Sequence, residues 1–296
     1  MMRHRLFNPS DLIIWVLTSL SMCWCTAENV LFFDDFSKTM LDRSQWNVVV
    51  NGTVYNHEQQ AYVDSEQTLY FVDGKEAEGA SNGALVIHPR FAPQTETTLG
   101  ERFDFISARL HTKGKVEFTY GRISARIKLP DSAAGLWPAF WALGNGTWPD
   151  TGEIDIMEYV GEKDWIGVAL HGPGYSGETP LVNKFFFDSE TDATHWHVYA
   201  VDWTKDGIQF KVDDRIIYRV SRTMVEHYGK WAFDSPEHVI LNFALGGGYS
   251  LKTNGIKRPY LGLAEETVTL IKEGKVRMLV DWVKVTQHAP GRAPAP

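Results

Sequence analysis

Hydrophobic and polar residues alternate along much of the chain from Val30 onward. The clearest case is 122–129, where isoleucine, alanine and leucine take every second position and arginine, serine and lysine take the others. Because successive side chains of a strand point to opposite faces, this pattern predicts a strand with one buried face. Residues 208–213 alternate in the same way, and Asp213 with Asp214 predicts a hairpin turn.

Similar short runs recur along the chain with turn residues between them: 31–36, 84–88, 165–171, 196–203, 239–245 and 276–285. No long stretch has the period of an α-helix, although 222–228 is compatible with one or two helical turns. Many short alternating strands predict an all-β protein built as a sandwich or a barrel.

The N-terminus has the pattern of a secretory signal peptide. Arg3 and Arg5 supply positive charge, an apolar run covers 12–25, and small residues follow at the expected cleavage position. We therefore expect residues 1–27 to be removed and the protein to be secreted, into the periplasm or outside the cell. An uncleaved membrane anchor is the alternative.

The remaining chain predicts one catalytic domain, 28–287, followed by a flexible tail rich in alanine and proline, 288–296. Both cysteines, Cys23 and Cys25, lie in the predicted signal peptide, so a disulfide scaffold and thiol catalysis are excluded for the mature chain.

The formal net charge of the chain is -8, and no block of lysine and arginine stands out. A nucleic-acid surface needs such a block, so that class of partner is excluded. We expect a monomer with no membrane contact after signal removal. Aromatic residues make up 13% of the chain, and they suit either a core or flat platforms for sugar rings.

Three acidic residues follow one another closely and are separated by apolar ones: Glu153, Asp155 and Glu158 are interleaved with Ile154, Ile156 and Met157. On a regular strand Glu153 and Asp155 share a face, whereas Glu158 points to the other. A one-residue bulge around Met157 would bring all three carboxyls to one face.

Three neighbouring carboxyls repel one another, so a fold does not keep them together for stability. Glycoside cleavage needs such a group, because one carboxylate attacks the anomeric carbon while a carboxylic acid protonates the leaving oxygen. With both glutamates on one strand, we expect the short separation of a retaining enzyme, roughly 5–5.5 Å. An acidic strand face exposed to solvent is the alternative.

These residues resemble glycoside hydrolase family 16, and in particular its laminarinase-like members, whose signature Glu-x-Asp-x-x-Glu is met by 153–158. Further similar segments follow in order along the mature chain: NHEQQAY at 56–62, GLWPAFWAL at 135–143, LHGPGYS at 170–176, LNFALGG at 241–247 and MLVDWVKV at 278–285. The resemblance implies an antiparallel two-sheet β-jelly roll with an open concave cleft, acting as an endo-β-1,3-glucanase on β-glucan.

The resemblance also implies roles for individual residues. Glu153 would be the nucleophile, Asp155 an assisting acid and Glu158 the acid/base. His171 would lie near the catalytic centre, with a purely structural histidine as the alternative.

Substrate contacts are implied in the same way. Trp137, Trp141 and Trp148 would line the donor side of the cleft, with core packing as the alternative. Asn56, Glu58 and Arg90 would hold sugar hydroxyls, unless they are ordinary surface residues.

No cofactor is expected for catalysis. The resemblance implies a possible structural calcium ion, with Asp35, its neighbour Asp34 and Asp281 as ligands. Calcium requires six to eight oxygen ligands, and few are evident in the sequence. Asn51 and Asn145 begin glycosylation sequons, which matter only in a eukaryotic host.

Three alternatives remain open at this point. The first is an enzyme of the same fold that cuts mixed-linkage glucan or a galactan, or that transfers sugars to other sugars. The second is a β-glucan-binding protein without activity, which would typically lack one or both of the two glutamates. The third is an unrelated structural lectin, which only the all-β pattern supports.

Overall fold

The computed structural model describes residues 29–51 and 55–287. The predicted signal peptide and the predicted tail therefore lie outside the described residues. The strands are β1 (Asn29–Asp34), β2 (Asn47–Val48), β3 (Gln60–Tyr62), β4 (Leu69–Val72), β5 (Ala84–Ile87), β6 (Arg90–Glu96), β7 (Arg102–Ser107), β8 (Arg109–His111), β9 (Gly121–Lys128), β10 (Leu136–Gly144), β11 (Glu153–Glu158), β12 (Trp165–His171), β13 (Leu181–Phe186), β14 (Trp196–Thr204), β15 (Gly207–Val212), β16 (Arg215–Ser221), β17 (Glu237–Leu245) and β18 (Met278–Gln287). The helices are α1 (Arg222–Tyr228), α2 (Gly247–Asn254) and α3 (Glu265–Lys272), and a short 3-10 helix covers Gly74–Ala77.

Two large antiparallel sheets form the body of the domain. The first, which we call the outer sheet, has the order β16-β15-β14-β9-β18-β5-β4, and β1 adds to β18. The second, the inner sheet, has the order β13-β12-β11-β10-β17-β8-β2. Neither sheet closes into a barrel, so the predicted all-β jelly roll of two antiparallel sheets is confirmed. The prediction missed a small third sheet, β3-β7-β6, in which β3 and β7 are parallel.

The core lies between the outer and inner sheets and follows the alternation seen in the sequence. Ile123, Ala125 and Ile127 of β9 are fully buried, as predicted from their spacing. Each fully buried isoleucine contributes about 1.5–3 kcal/mol through the hydrophobic effect. The central strand β17 is buried at all of its positions.

Short elements connect the strands. Asp213 and Asp214 have φ angles of 49° and 64° and form the hairpin turn between β15 and β16, as predicted. Helix α1 occupies the predicted segment, and its N-terminal cap is the hydroxyl of Ser221, which accepts from the Met224 amide at 3.1 Å. Helices α2 and α3 were not predicted.

No helix within 29–51 and 55–287 is both long enough and apolar enough to cross a membrane.

Candidate active site

A bulge in β11 brings the three acids to one face of the inner sheet. On one side Asp155 pairs with Trp141 and Met157 with Phe140, so Ile156 has no opposite residue. On the other side Asp155 pairs with Ala169 and Glu158 with Gly167, which again leaves an extra residue in β11. The predicted bulge is therefore present.

The burial of the strand agrees with this register. Ile156 and Met157 are neighbours in sequence, yet both belong to the core and are 1% and 0% exposed. Two consecutive core residues shift the alternation by one position, so Glu158 returns to the face of Glu153 and Asp155. We call this face, which is turned away from the outer sheet, the cleft face.

Each glutamate accepts a hydrogen bond from a tryptophan. The indole N–H of Trp148 donates to Oε2 of Glu153 at 3.0 Å, and the indole N–H of Trp137 donates to Oε1 of Glu158 at 3.0 Å. A donor to the ionised form of a carboxyl favours ionisation and also fixes its orientation. Both glutamates are thus held in defined positions by the aromatic side chains beside them.

His171 stands opposite the first two acids. It pairs with Glu153 across the sheet, and its Nε2 lies 3.2 Å from Oδ2 of Asp155 and 3.7 Å from Oε1 of Glu153. Its Nδ1 accepts a hydrogen bond from the amide of Gly177 at 3.1 Å, so the ring proton is on Nε2 and faces the acids. The structure thus places His171 beside Glu153 and Asp155.

Burial perturbs all three carboxyls in the same direction. Burial and then the charge of Asp155 raise the pKa of Glu153 to about 8, and the same two causes raise the pKa of Glu158 to about 8. Burial also raises the pKa of Asp155 to about 8. The group therefore retains protons near neutral pH, which is the condition for one carboxyl to act as an acid while another is ionised.

The three predicted tryptophans reach the cleft face in different ways. Trp137 and Trp141 lie half-buried on β10, whereas Trp148 is 48% exposed in the loop between β10 and β11. Trp148 also approaches His171, with 6.1 Å between the ring centroids. An indole that is exposed on one side and hydrogen-bonded at its nitrogen is suited to stacking on a sugar ring.

A chain of hydrogen bonds links Trp141 to Glu58. Trp141 donates to Oδ1 of Asn242 at 2.7 Å, Asn242 donates to the hydroxyl of Tyr62 at 3.1 Å, and that hydroxyl donates to Oε2 of Glu58 at 3.2 Å. Gln60 donates to the same carboxylate oxygen at 2.7 Å. The structure thus connects two of the predicted substrate-binding residues, Trp141 and Glu58, through two polar ones, Asn242 and Tyr62.

Asn56 lies on an exposed loop with a φ angle of 52°. Its carbonyl accepts from the amide of Gly248 at 2.6 Å, at the start of α2. A Cβ on Gly247 would come within 2.8 Å of that carbonyl, which explains the need for glycine there. The loop therefore packs against the helix that carries Tyr249 towards Glu158.

Arg90 is not brought together with the acids. In the described structure it lies at the start of β6, where its guanidinium is 3.0 Å from Nε2 of His88, and Gly274 is its other neighbour. The arginine of the cleft is Arg109 on β8, which the sequence analysis missed. Its guanidinium lies over the ring of Trp141, 4.7 Å from the ring centroid. Burial raises the pKa of Glu58, and the positive charge of Arg109 opposes this effect.

Tyr249 was also missed. Its ring packs edge-on against Trp137 with 5.4 Å between centroids, and a Cβ on Gly167 would lie 3.1 Å from its hydroxyl. Burial and the charge of Glu158 raise the pKa of Tyr249, so it remains a neutral hydroxyl beside the acid. The sequence carried no local signal for this contact, because α2 and β11 are distant along the chain.

The donor set at Asp35 and Asp281 does not fit a calcium ion. Both carboxylate oxygens of the buried Asp281 already accept hydrogen bonds, one from the hydroxyl of Ser81 at 3.0 Å and the other from its amide at 2.8 Å. The guanidinium of Arg126 forms an ion pair with the same carboxylate at 2.5 Å. Asp35 accepts instead from Ser37 and Asn82. A cation competing with Arg126 would be repelled, and we derive no role for calcium.

Only one group of side chains in the described residues has the composition and spacing of a metal site. It consists of Glu153, Asp155 and His171, whose ligand atoms lie within 4.8 Å of one another. These are the residues of the acid cluster itself, so the candidate metal ligands and the candidate catalytic groups are the same atoms.

Comparison with known proteins agrees with the fold. The family model described as Glycosyl hydrolases family 16 matches residues 93–260. The Beta-glucanase of Rhodothermus marinus is 34% identical over 74% of this chain and 76% of its own length. The Glucan endo-1,3-beta-glucosidase A1 of Niallia circulans is 31% identical over 75% of this chain, which spans only 34% of that relative.

A solved structure shows the same architecture. The endo-beta-1,3-glucanase from Pyrococcus furiosus superposes with a TM-score of 0.74 and 32% identity, covering 88% of this chain and 95% of that one. The chain belongs to glycosyl hydrolase family 16 and is a glycoside hydrolase. The resemblance seen in the sequence is confirmed.

Proposed function

We propose that this glycoside hydrolase is a secreted, retaining endo-β-1,3-glucanase that acts on laminarin-type polymers. The observation that carries the proposal is the convergence of Glu153 and Glu158 on the cleft face, each oriented by its own tryptophan. The names of the relatives, a β-glucanase and two endo-1,3-β-glucanases or glucosidases, support glucan as the substrate. Secretion rests on the predicted signal peptide, 1–27.

In the first step a carboxylate oxygen of Glu153 attacks the anomeric carbon, and the bond from that carbon to the glycosidic oxygen breaks. Glu158 gives its proton to the departing oxygen, which leaves as the new hydroxyl of the released chain. The product is a glucosyl ester on Glu153 and a carboxylate on Glu158. The raised pKa of Glu158 keeps the proton available for this transfer.

In the second step the carboxylate of Glu158 takes a proton from water, and the water oxygen attacks the anomeric carbon. The ester bond breaks and Glu153 returns as a carboxylate. Two inversions give net retention of the β configuration. Asp155, with His171 3.2 Å away, adjusts the charge beside both glutamates without forming a bond to the sugar.

The donor half of the glucan would lie over β10, β17 and β8. Trp141 offers an aromatic face, and the Glu58 carboxylate and the Arg109 guanidinium offer an acceptor and donors for sugar hydroxyls. This half of the cleft is held rigid by the hydrogen-bond chain through Asn242 and Tyr62. Rigid polar groups favour a substrate of one defined shape.

An enzyme of this fold with a preference for mixed-linkage glucan, a galactan or sugar transfer is the competing function. A protein that only binds glucan is disfavoured, because Glu153, Asp155 and Glu158 are all present. The deciding experiment is the measurement of kcat/KM for laminarin, lichenan, agarose and κ-carrageenan on one preparation. We expect laminarin to be preferred, with lichenan cut more slowly. A preference for either galactan would overturn the substrate assignment.

A further inference from the structure

The position of Trp148 depends on the loop that carries it. Trp148 lies between β10 and β11, in the loop 145–152, and 48% of its side chain is exposed. A side chain with so little of its surface buried is fixed mainly by its backbone, because packing contributes little. The hydrogen bond from Trp148 to Glu153 therefore depends on how firmly the loop is held over the sheet.

The loop is folded on itself by short-range hydrogen bonds. The amide of Gly146 donates to Oγ1 of Thr151 at 3.2 Å, and the amide of Asp150 donates to the carbonyl of Thr147 at 2.8 Å. A Cβ on Gly146 would come within 2.5 Å of the Thr151 side chain, so the two ends of the loop are in close contact. These bonds define the shape of the loop. They do not fix its place over the sheet, because both partners of each bond belong to the loop.

One side chain of the loop reaches a neighbouring strand. Oδ1 of Asn145 accepts a hydrogen bond from Nδ1 of His238 at 2.9 Å, although 93 positions separate the two residues along the chain. His238 lies on β17, opposite Leu143 of β10, and is 3% exposed, whereas Asn145 is exposed. The bond thus ties a surface loop to a buried side chain of a central strand, which is a rigid part of the fold.

The ring of His238 is neutral, and its proton is on the nitrogen that faces the loop. Burial is the largest cause that lowers the pKa of His238 to about 3. The positive charges of its neighbours act in the same direction, and these neighbours are His111, Lys113 and Arg109. Because an amide oxygen only accepts hydrogen bonds, the single ring proton lies on Nδ1. The ring of His111 packs edge-on against that of His238, with 5.6 Å between centroids, and helps to hold its orientation.

We propose that His238 is a positioning residue for the cleft, which acts through Asn145 to hold Trp148 against Glu153. The inference rests on the proposed function, in which Glu153 is the nucleophile. With the hydrogen bond in place, the indole can meet the sugar and the nucleophile together. Without it, the loop occupies other positions for part of the time, and the competent fraction of the enzyme falls. His238 is buried and touches no reacting atom, so its effect passes through Trp148.

The test is a double-mutant cycle on one laminari-oligosaccharide, with kcat and KM determined separately. His238→Leu removes the donor, and Asn145→Ala removes the acceptor from an exposed position without altering the core. His238→Asn is the conservative variant, because the amide nitrogen of asparagine takes nearly the place of Nδ1. His238→Leu and Asn145→Ala are each also combined with Trp148→Ala.

His88→Leu is the matched control. His88 is 4% exposed, its Nδ1 lies 2.8 Å from the hydroxyl of Tyr70, and burial lowers its pKa to about 4. The substitution therefore also removes a buried, hydrogen-bonded imidazole, but between β5 and β6 and not beside the loop. The Tm of every variant is measured as well, so that general destabilisation is seen separately from the kinetics.

We expect His238→Leu and Asn145→Ala to lose about 3- to 10-fold in kcat/KM, with KM raised and kcat lowered. In the Trp148→Ala background neither substitution should have a further effect, because no indole remains to be positioned. His238→Asn should stay within about 2-fold of the wild type, since it keeps a donor at the same place. His88→Leu should lower the Tm and leave kcat and KM at wild-type values.

An equal loss of kcat/KM from His238→Leu with and without Trp148 would show a purely structural role and overturn the inference. Wild-type kinetics in Asn145→Ala, or a His238→Asn variant as impaired as His238→Leu, would also overturn it. The proposed function is decided by the wild type alone. If the wild type prefers a galactan, the substrate assignment is wrong, and the same cycle run on that galactan decides the inference. A wild type that cuts none of these glycans would end both.

Discussion

The indole N–H of Trp148 donates to Oε2 of Glu153 at 3.0 Å, while almost half of the same side chain is open to solvent. One residue thus connects the surface that meets the sugar with the proposed nucleophile. Because this hydrogen bond favours the ionised carboxyl, it lowers the pKa of Glu153 against the effect of burial. The two roles of Trp148 can be separated by substitution.

Trp148→Phe keeps an aromatic plane and removes the donor. We expect the pKa of Glu153 to rise further, so the acidic limb of the kcat/KM profile should move to higher pH. Trp148→Ala also removes the plane, and it should raise KM on oligosaccharides and lower kcat, since distortion of the sugar draws on binding energy. An acidic limb that stays in place in the phenylalanine variant would contradict a role for the indole N–H.

The roles of the two glutamates are tested by rescue with azide. Glu158→Gln should lose roughly 10²- to 10⁴-fold on polymer, because the proton donor is absent. An activated aryl substrate needs little protonation, so this variant should still form the glucosyl ester, and azide should then give a β-glycosyl azide. Glu153→Gln lacks the nucleophile, and azide should attack the anomeric carbon directly and give the α-azide.

The anomeric configuration of the azide product, read by NMR, decides between the two assignments. The opposite pair of anomers would mean that nucleophile and acid/base are exchanged. Asp164→Asn, at an exposed position outside the cleft, serves as a control that should retain activity and form no azide product beyond the wild-type level.

Asp155 raises the pKa of both glutamates through its negative charge. Asp155→Asn removes that charge, so the pKa values of Glu153 and Glu158 should both fall towards their ordinary range. The acidic limb of kcat/KM reports ionisation of the nucleophile, and the basic limb reports loss of the acid's proton. We therefore expect both limbs to move to lower pH, with activity reduced less than in either glutamate variant.

The measurement is the full pH profile on one oligosaccharide, with Asp131→Asn as an exposed control. A basic limb that moves upward in Asp155→Asn would show that Asp155 stabilises the charged form of Glu158. In that case the repulsion among the three carboxyls would not be the effect that sets their pKa values.

The parts of the site that could be predicted from sequence are local. The bulge follows from the apolar residues Ile154, Ile156 and Met157, because only a shifted alternation buries all three and keeps the acids together. Strands such as β9 were equally visible, since one buried face imposes a period of two. The short helices α2 and α3 gave no comparable periodic pattern of apolar residues.

The parts that could not be predicted depend on which strands become neighbours. Arg109 enters the cleft because β8 pairs with β17, placing it opposite Asn242, whereas Arg90 begins a strand of the small third sheet. Asp281 forms an ion pair with Arg126 because β18 pairs with β9. No spacing along the chain reveals pairings between segments more than a hundred residues apart.

The core holds one carboxyl that the proposed mechanism does not use. Glu237 begins β17 and is 0% exposed, and neither carboxylate oxygen has a hydrogen-bond partner in the described structure. Burial, followed by the charges of Glu153 and Asp155, raises the pKa of Glu237 well above its ordinary value of 4.5. The carboxyl therefore stays protonated in the folded protein at pH values where the unfolded chain ionises it.

This difference predicts a loss of stability with rising pH. Above the unfolded pKa the folded state retains a proton that the unfolded state has lost, so the wild type should lose about 1.4 kcal/mol per pH unit through Glu237 until the folded pKa is reached. Glu237→Met removes this dependence and fills the same space with an apolar chain. Its free energy of unfolding in urea should therefore exceed that of the wild type by an amount that grows from about pH 5 to about pH 7. The three catalytic acids contribute equally to both proteins and cancel in the difference. Glu190→Met, at an exposed position, is the control and should show no such trend with pH. If the free energy of unfolding of Glu237→Met differed from that of the wild type by a constant amount across this range, Glu237 would not be protonated in the folded protein.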